Sequence, residues 1–396
     1  MSASLAGISQ AFGQFLVWTA HTAREGGAKQ VCFLSREGVW LAARYEAMRA
    51  QACCPDDFPP ARHLAVSRRS TYLAGFEAIE PDVLKPVLAQ YRTASMRAVL
   101  TGLGLTEQDF QSAAIKIPGF AVLLQEPWRQ DGSSAALLHA GPLAELLEMR
   151  RATQRDYLLR YLAQQDMLSD AEGPSFLADI GWRGSIQDNL GRLLPTRPLT
   201  GLYFHLQPFL TVQQSQLTKI AFLAPAQHHV LRRLRFGAPL EFLVCGNAPT
   251  VSGYTAYADG RVSAVLDKEE LIPRGQQAAF ARFQAEMADT MQNITVSTVP
   301  SPAKALEQTL AFLEHPPPAV AALYLASKRD ERFGTGRIYT PDVLLGWRQI
   351  LAALPDRKKR RAFIYKLAES GWPWAILQRD LPLVARFIRF LLLSAA

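Results

Sequence analysis

The sequence predicts an α/β protein built on a doubly wound, mainly parallel sheet of the Rossmann-like type. Short apolar segments alternate with segments of helical periodicity over residues 1–220, which is typical of a parallel sheet covered on both faces. Three of the short segments end in a cluster of polar residues and glycines. A large helical insertion near 81–168 and a mainly helical region over 221–396 complete the predicted architecture.

The length and composition favour a globular chain of two packed units, divided near residue 220. The 396 residues are 49% hydrophobic and 20% charged, so a sizeable core is available. A formal net charge of +8 suits a phosphate-bearing ligand or an anionic membrane surface. Nucleic acid is not a predicted partner, because the sequence has no zinc-finger spacing, aromatic ribonucleoprotein strand or long basic arm.

The cysteines and the N-terminus favour a cytoplasmic location. The four cysteines include the adjacent Cys53 and Cys54 and no CxxC pair, so reduced thiols are expected. The first 27 residues lack the basic start of a signal peptide. No apolar run reaches the ~18 residues of a membrane span.

The first predicted elements follow from periodicity and punctuation. Residues 4–25 form a helix that Gly26-Gly27 ends. The apolar run 30–34 is the first strand, followed at once by a helix to about residue 50. A second strand covers 63–66.

The next elements are the insertion and two further strands. Within 81–168, the span 143–165 has apolar residues at helical spacing. A third strand at 175–178 leads into a helix from residue 186, and a fourth strand covers 200–205. Four strands that each end in polar residues predict a ligand site at their carboxyl ends.

The pattern weakens after residue 220. The predicted elements are helices over 227–248, 274–292, 303–314 and the tail 343–396, a hairpin over 253–266 turning at Asp259-Gly260, and a rigid connector at Pro316-Pro317-Pro318. His228-His229 have no carboxylate at helical offset, which favours a structural role.

Ser35-Arg36-Glu37-Gly38 follows the first strand directly. Backbone N–H groups at a helix start, a hydroxyl and a guanidinium suit a phosphate, while Glu37 could hold a metal or accept a proton. The alternative is a solvated capping box. Ser67-Arg68-Arg69-Ser70 repeats the pattern at the second strand, where two arginines could neutralise a diphosphate or simply form a basic surface turn.

Asp179-Ile180-Gly181-Trp182-Arg183-Gly184-Ser185 is the most informative segment. The glycines allow a tight turn and close approach to a ligand, and Ser185 could cap the next helix. Asp179 is placed at the strand end as a catalytic or metal-binding carboxylate. The structural alternative has Asp179 capping the turn and Trp182 in the core.

The three segments converge at one sheet edge, where their arginines would be costly without an anionic ligand. Glu241, a lone acid in the apolar segment 239–243, either points into this cleft or lies on the surface. Walker, GxGxxG, GxSxG and HExxH motifs are absent from the sequence, as is the DxDxT segment of haloacid dehalogenase phosphatases.

At these residues the chain resembles a family of bacterial surface-polysaccharide proteins. Its members carry Phe-Leu-(Ala/Ser)-Arg-(Asp/Glu)-Gly, Ser-Arg-Arg and Asp-Ile-Gly-Trp-(Arg/Tyr)-Gly-Ser, which correspond here to Phe33–Gly38, Ser67–Arg69 and Asp179–Ser185. Further similarity lies at Pro239–Leu243 and Gly253-Tyr254. The resemblance covers roughly residues 5–285.

The resembled module is a glycan phosphoribosyltransferase, often fused to a haloacid dehalogenase-like phosphatase. The resemblance implies transfer of 5-phosphoribose from phosphoribosyl diphosphate to a sugar hydroxyl of a lipid-linked or oligosaccharide acceptor. A separate phosphatase would then remove the 5-phosphate. Asp179 or Glu37 would be the base or a ligand of Mg²⁺, a candidate cofactor. The expected substrate-binding residues are Ser35, Arg36, Gly38, Ser67, Arg68, Arg69, Gly181, Trp182, Arg183, Gly184, Ser185 and Glu241.

Two alternatives remain at this point: a sugar-phosphate hydrolase and a non-catalytic scaffold of a polysaccharide assembly complex. The tail poses a separate question. Its basic run Arg357–Arg361 and the apolar, arginine-dotted segment Leu383–Leu393 suit peripheral contact with the inner face of the membrane, joined by Trp372, Trp374, Ile376 and Leu377. The alternative is a helical pair packed on the first domain.

Overall fold

The computed structural model describes residues 2–139, 141–168, 174–209, 213–225, 230, 233–234, 237–341 and 356–380. A five-stranded parallel sheet forms its centre. The strands are β1 (Val31–Leu34), β2 (Ala61–Leu64), β3 (Ser175–Trp182), β4 (Leu199–Leu206) and β5 (Leu217–Leu223), in the spatial order β2-β1-β3-β4-β5. The predicted fold class is therefore confirmed. The order reverses between β1 and β3, which is where doubly wound sheets bind ligands.

The strand predictions need three corrections. Strand β5 was not predicted, because Leu217–Leu223 alternates polar and apolar residues as an edge strand does. Strand β2 lies two residues earlier than expected, and β3 extends four residues beyond Ala178. The extension exists because β4 keeps pairing with β3 as far as Leu206, whereas β1 pairs with β3 only up to Ala178.

The helices surround this sheet and two small hairpins. They are α1 (Ala3–Glu25), α2 (Ser35–Arg49), α3 (Arg68–Tyr72), α4 (Pro81–Leu88), α5 (Met96–Gly102), α6 (Glu107–Lys116), α7 (Phe120–Leu123), α8 (Ser133–Ala136), α9 (Gly141–Gln164), α10 (Ser185–Leu193), α11 (Ala238–Cys245), α12 (Arg274–Met291), α13 (Pro302–Glu314), α14 (Pro318–Ala326), α15 (Arg332–Thr335), α16 (Arg357–Glu369) and α17 (Pro373–Asp380). The hairpins are β6 (Val251–Ala256) with β7 (Val262–Leu266), and β8 (Arg329–Glu331) with β9 (Arg337–Tyr339).

Alternate side chains of β1 enter two separate cores. Val31 and Phe33 belong to the larger core, with α1, α2, α11, α13 and α14, whereas Leu34 belongs to a core formed with α9, α10 and the β6–β7 hairpin. Because both faces of a buried parallel strand are covered, its sequence is a continuous apolar run. The predicted hairpin at 253–266 is confirmed, and its turn contains Gly260 at φ 86°.

The predicted insertion is helical and has an apolar cluster of its own, which extends from Leu73 to Leu147. The division of the chain at residue 220 stays a prediction. Pro316-Pro317-Pro318 is not a separate rigid connector, because Pro318 begins α14, as proline at the first helical position readily does.

The C-terminal tryptophans lie inside the protein. Trp372 and Trp374 are buried in the larger core with Ile376 and Leu377, and Trp372 Nε1 donates to the Leu313 carbonyl at 2.8 Å. These four side chains follow the packed alternative and do not reach a membrane. His228-His229 and Leu383–Leu393 lie outside the described residues. Among the helices described, none is long and apolar enough to cross a bilayer.

Candidate functional site

A cavity of about 330 Å³ opens at the carboxyl ends of β1, β2 and β3. Most residues predicted from the three strand ends line it, together with the predicted Glu241 from α11. Those lining residues are Ser35, Arg36, Glu37, Ser67, Arg68, Arg69, Asp179, Gly181, Trp182, Arg183, Ser185 and Glu241. Gly38 and Gly184 do not line it and act through the backbone.

The N-terminus of α2 faces the cavity with its backbone N–H groups uncapped. Leu34 is the N-cap residue and no described side chain caps the N–H groups at this end of the helix, so the capping-box alternative is wrong. Ser35 adopts φ 62°, a left-handed conformation that a non-glycine residue seldom occupies without a functional reason. A Cβ at Gly38 would lie 2.6 Å from the Phe33 carbonyl oxygen. Glycine therefore lets α2 start directly against β1.

The second segment uses its serines to cap a helix. Ser67 Oγ accepts a hydrogen bond from the Ser70 N–H at 3.0 Å and donates to the Val251 carbonyl at 2.6 Å. The two arginines then diverge. Arg68 is exposed and its guanidinium lies 5.9 Å from the centre of the Phe333 ring, without an ion pair to the described residues. Arg69 is buried and forms an ion pair with Asp267 at 3.2 Å. Of the two, Arg68 is the arginine that a carboxylate of the described residues does not neutralise.

The third segment has three residues with positive φ. Gly181, Trp182 and Gly184 have φ values of 132°, 72° and 65°. A Cβ at Gly181 would lie 1.8 Å from the His205 carbonyl oxygen, so the β3–β4 pairing requires glycine there. Gly184 is the N-cap residue of α10 and Ser185 is its first helical residue, which corrects the predicted Ser185 cap.

The described part of the chain supplies no side-chain cap to α10 either. The N-terminal N–H groups of this helix are thus available beside those of α2, and the exposed Ser185 lies among them. Arg183 is also exposed, with Nε donating to the Pro208 carbonyl at 3.2 Å. Trp182 is half-buried and lines the cavity, so its predicted alternative as a core residue is wrong.

Asp179 lies just beyond the last β1–β3 pair. Its Oδ1 accepts the Ile180 N–H at 2.8 Å. Burial raises the pKa of Asp179 well above its ordinary value, and the carboxylates of Glu37 and Glu241 add to this effect. The environment of Asp179 therefore favours its neutral form.

Glu241 points into the cavity from α11 and accepts a hydrogen bond from the indole N–H of Trp182. Burial, together with the charge of Glu37, raises the pKa of Glu241 to about 7, while Arg329 and Arg36 oppose the shift. The surface alternative for Glu241 is wrong.

Sequence reasoning missed the segment Arg329–Phe333, which forms part of the cavity wall. It comprises β8 and the first residues of α15. Its only signal was the charge run at 328–332 after the apolar helix α14, and such a run also describes a solvated turn. The contacts of this segment with residues some 60 positions earlier in the chain produce no local sequence pattern.

A largely buried ionic network holds this segment to α3 and to the open end of the β6–β7 hairpin. Asp267 binds Arg69 at 3.2 Å and Arg332 at 2.6 Å, and Arg332 also binds Asp330 at 2.8 Å. Thr250 Oγ1 donates to Asp330 at 3.1 Å. The expectation that all the converging arginines require an anionic ligand is therefore wrong for Arg69, because Asp267 already neutralises it.

The cavity does not contain a ready metal cage. Within the described ranges, no group of three or more histidine, cysteine or acidic side chains is arranged to hold an ion. Mg²⁺ stays a prediction, and it would have to arrive with the phosphates of a ligand.

The fold and site together define a doubly wound α/β protein with a charged cavity at the switch point of its sheet. No model of a known protein family matches the chain. A search of curated proteins also finds no match.

Proposed function

We propose that the chain is a glycan phosphoribosyltransferase. It would transfer 5-phosphoribose from phosphoribosyl diphosphate to a sugar hydroxyl of a surface-polysaccharide intermediate. The observation that carries the proposal is the meeting of Arg36, Arg68 and the uncapped N-termini of α2 and α10 in one cavity. The resemblance of the three strand-end segments to such transferases supplies the reaction.

The cavity offers two kinds of phosphate-binding group. Helix N-termini present N–H groups and a positive partial charge to an anion. Arg68 adds a guanidinium that lies over the Phe333 ring and has no ion pair with the described residues, and Arg36 lies at 4.0 Å from Glu37. A volume of about 330 Å³ falls in the range of small-molecule sites. This supports a single phosphorylated ligand.

The charge balance of the lining also favours an anion. Six arginines and five carboxylic side chains line the described cavity. Burial raises the pKa values of Asp179 and Glu241 and so disfavours their negative charges. The surplus of guanidinium groups would stabilise a departing diphosphate, which is the main catalytic requirement of this transfer.

The proposed reaction implies an acceptor, a second enzyme and a location in the cell. The acceptor would be a lipid-linked or oligosaccharide intermediate, and a separate phosphatase would remove the 5-phosphate afterwards. The protein would work in the cytoplasm, at the inner face of the membrane, with the exposed basic residues of α16 contacting anionic lipid.

Isothermal titration with phosphoribosyl diphosphate tests the proposal. Arg68→Ala should weaken binding by about 10- to 100-fold, as expected for loss of a charge-assisted hydrogen bond. Arg274→Ala, which removes an exposed arginine outside the cavity, should leave binding unchanged. Ribose 5-phosphate should bind more weakly because it lacks the diphosphate. Failure of the wild type to bind, or equal binding of ATP, would contradict the proposal and leave the scaffold alternative.

A further inference from the structure

Five carboxyl groups line the described cavity. Asp330 and Glu331 are ion-paired with Arg332 and Arg329, each at 2.8 Å, which leaves Glu37, Asp179 and Glu241 as candidates. The proposed transfer needs one of them to take a proton from the attacking hydroxyl. We propose that Glu241 is this proton acceptor and that Trp182 positions its carboxylate. The inference rests on the proposed function and replaces the sequence-based assignment to Asp179 or Glu37.

Asp179 is poorly suited to accept a proton. Its Oδ1 is engaged by the Ile180 N–H at 2.8 Å, at the point where β1 leaves the sheet. Burial and two neighbouring carboxylates favour its neutral form. The neutral form of a carboxyl group is a hydrogen-bond donor and not a base, so this shift counts against Asp179.

Glu37 lies with the groups assigned to the donor. It occupies the first turn of α2 beside Arg36, at 4.0 Å, and is 7% exposed. A carboxylate tied to a helix N-terminus and a guanidinium stabilises the local cationic group. Its role is therefore to hold Arg36 in place at the phosphate end of the cavity.

Glu241 differs from both in position. It lines the main cavity and also a smaller adjoining cavity of about 60 Å³, which neither Glu37 nor Asp179 reaches. The wall of the smaller cavity includes Phe242, Leu271 and Tyr324, which suit the apolar faces of a sugar. Glu241 thus lies where the two cavities meet.

The contacts of Glu241 leave it accessible. Among the described residues its carboxyl group accepts one hydrogen bond, from Trp182 to Oε1, so Oε2 can meet a substrate hydroxyl. Trp182 reaches Glu241 from a left-handed backbone conformation of φ 72°. Such strain costs about 1–3 kcal/mol and persists at sites where it serves a function. Here it directs the indole N–H at the carboxylate.

In the proposed step, the acceptor hydroxyl displaces diphosphate from the anomeric carbon of the donor. The acceptor oxygen forms a bond to the anomeric carbon as the bond from that carbon to the diphosphate breaks. The bonding electron pair leaves with the diphosphate, which Arg68 and the two helix N-termini stabilise. The hydroxyl proton passes to Glu241 and then to solvent.

The protonation of Glu241 supports this role. Its pKa is raised to about 7, close to the operating pH that favours a general base. The charged or titratable groups that face it are Glu37 and Arg36 of α2, Asp179 of β3, Arg329 and Glu331 of β8, Tyr324 of α14 and Cys245 of α11 itself. The indole N–H favours the ionised form, so Trp182→Phe should move the acidic limb of the rate profile upward by about one pH unit.

Diphosphate release from phosphoribosyl diphosphate, with water as the acceptor, provides the test. Glu241→Gln should lower the rate by about 10²- to 10⁴-fold and change donor binding by no more than about threefold. Asp179→Asn, which mimics the neutral acid, should keep at least a tenth of the rate. Formate should restore activity to Glu241→Ala. Glu145→Gln, the same change at an exposed residue outside the cavity, is the control.

The outcomes separate the two proposals. A wild type that neither binds the donor nor releases diphosphate would refute the proposed function itself. If the donor binds and is turned over, but Glu241→Gln keeps the wild-type rate or Asp179→Asn abolishes it, only the assignment of the base is overturned. Titration calorimetry on each variant verifies that the cavity is intact.

Discussion

Removal of one carboxylate, that of Asp267, should loosen the cavity wall and destabilise the whole chain. Asp267 and its partner Arg69 are 17% and 7% exposed at their side chains. In Asp267→Asn, Arg332 keeps its ion pair with Asp330 at 2.8 Å, but Arg69 loses its only ion pair among the described residues. Arg69 Nε already lacks a hydrogen-bond partner there. The variant therefore leaves one buried guanidinium without a counter-charge, which should lower the free energy of unfolding by about 3–5 kcal/mol.

Urea unfolding followed by circular dichroism measures this loss. The change would be a large fraction of the roughly 5–15 kcal/mol that stabilises a typical domain. Asp259→Asn breaks an aspartate–arginine pair whose side chains are 53% and 73% exposed, and it should cost much less because solvent screens the pair. Combining Asp267→Asn with Arg69→Met should recover most of the loss, because no unpaired charge remains. A loss below about 1 kcal/mol for Asp267→Asn, equal to the control, would refute the reasoning.

Three further predictions concern the backbone, pH and the membrane. Gly181→Ala should destabilise the chain in urea by at least about 3 kcal/mol, because the new Cβ clashes with His205. The control Gly119→Ala, at φ 74° in open space, should cost only about 1 kcal/mol. Equal costs would contradict the packing explanation. The pKa of Glu241, raised to about 7 from 4.5, means that the folded chain binds more protons than the unfolded chain between these values. The contribution of Glu241 to stability is therefore lost as pH rises through this window. The difference in free energy of unfolding between wild type and Glu241→Gln should shrink by roughly 1–3 kcal/mol between pH 5 and 7.5. A difference that stays constant would contradict the pKa shift. The fraction of protein that sediments with anionic vesicles should fall as salt is added, and it should also fall in the double variant Lys358→Gln/Lys359→Gln of exposed α16. Each lysine contributes about 1 kcal/mol. Binding that does not depend on salt, or no binding, would exclude this lipid contact.

The sheet was predictable because its inner strands carry a strong local signal. Val31–Leu34 is continuously apolar and is followed at once by a helix start, so its place in a parallel sheet could be read locally. Strand β5 could not, because Leu217–Leu223 is an edge strand with alternating burial. The tail had two interpretations because tryptophans suit a core and a membrane surface equally. Their burial in the structure shows that Trp372 and Trp374 are core residues.

The site was predictable as far as strand ends determine it. The rule that parallel strands bring their carboxyl ends to one edge correctly placed Arg36, Arg68 and Asp179 around one cavity. Which arginines are already neutralised depends on Asp267, about 200 residues further along the chain than Arg69. Such long-range pairing leaves no periodicity in the sequence. The hydrogen bond between Trp182 and Glu241 could not be predicted for the same reason.

Phosphorus NMR of a reaction with phosphoribosyl diphosphate and an oligosaccharide acceptor tests the central claim most directly. The account predicts that diphosphate appears together with an equal amount of a new phosphomonoester attached to the glycan, and that Arg68→Ala slows both signals alike. A sugar-phosphate hydrolase would instead release inorganic phosphate. Intact donor after prolonged incubation, or inorganic phosphate without a glycan-linked phosphomonoester, would contradict the claim.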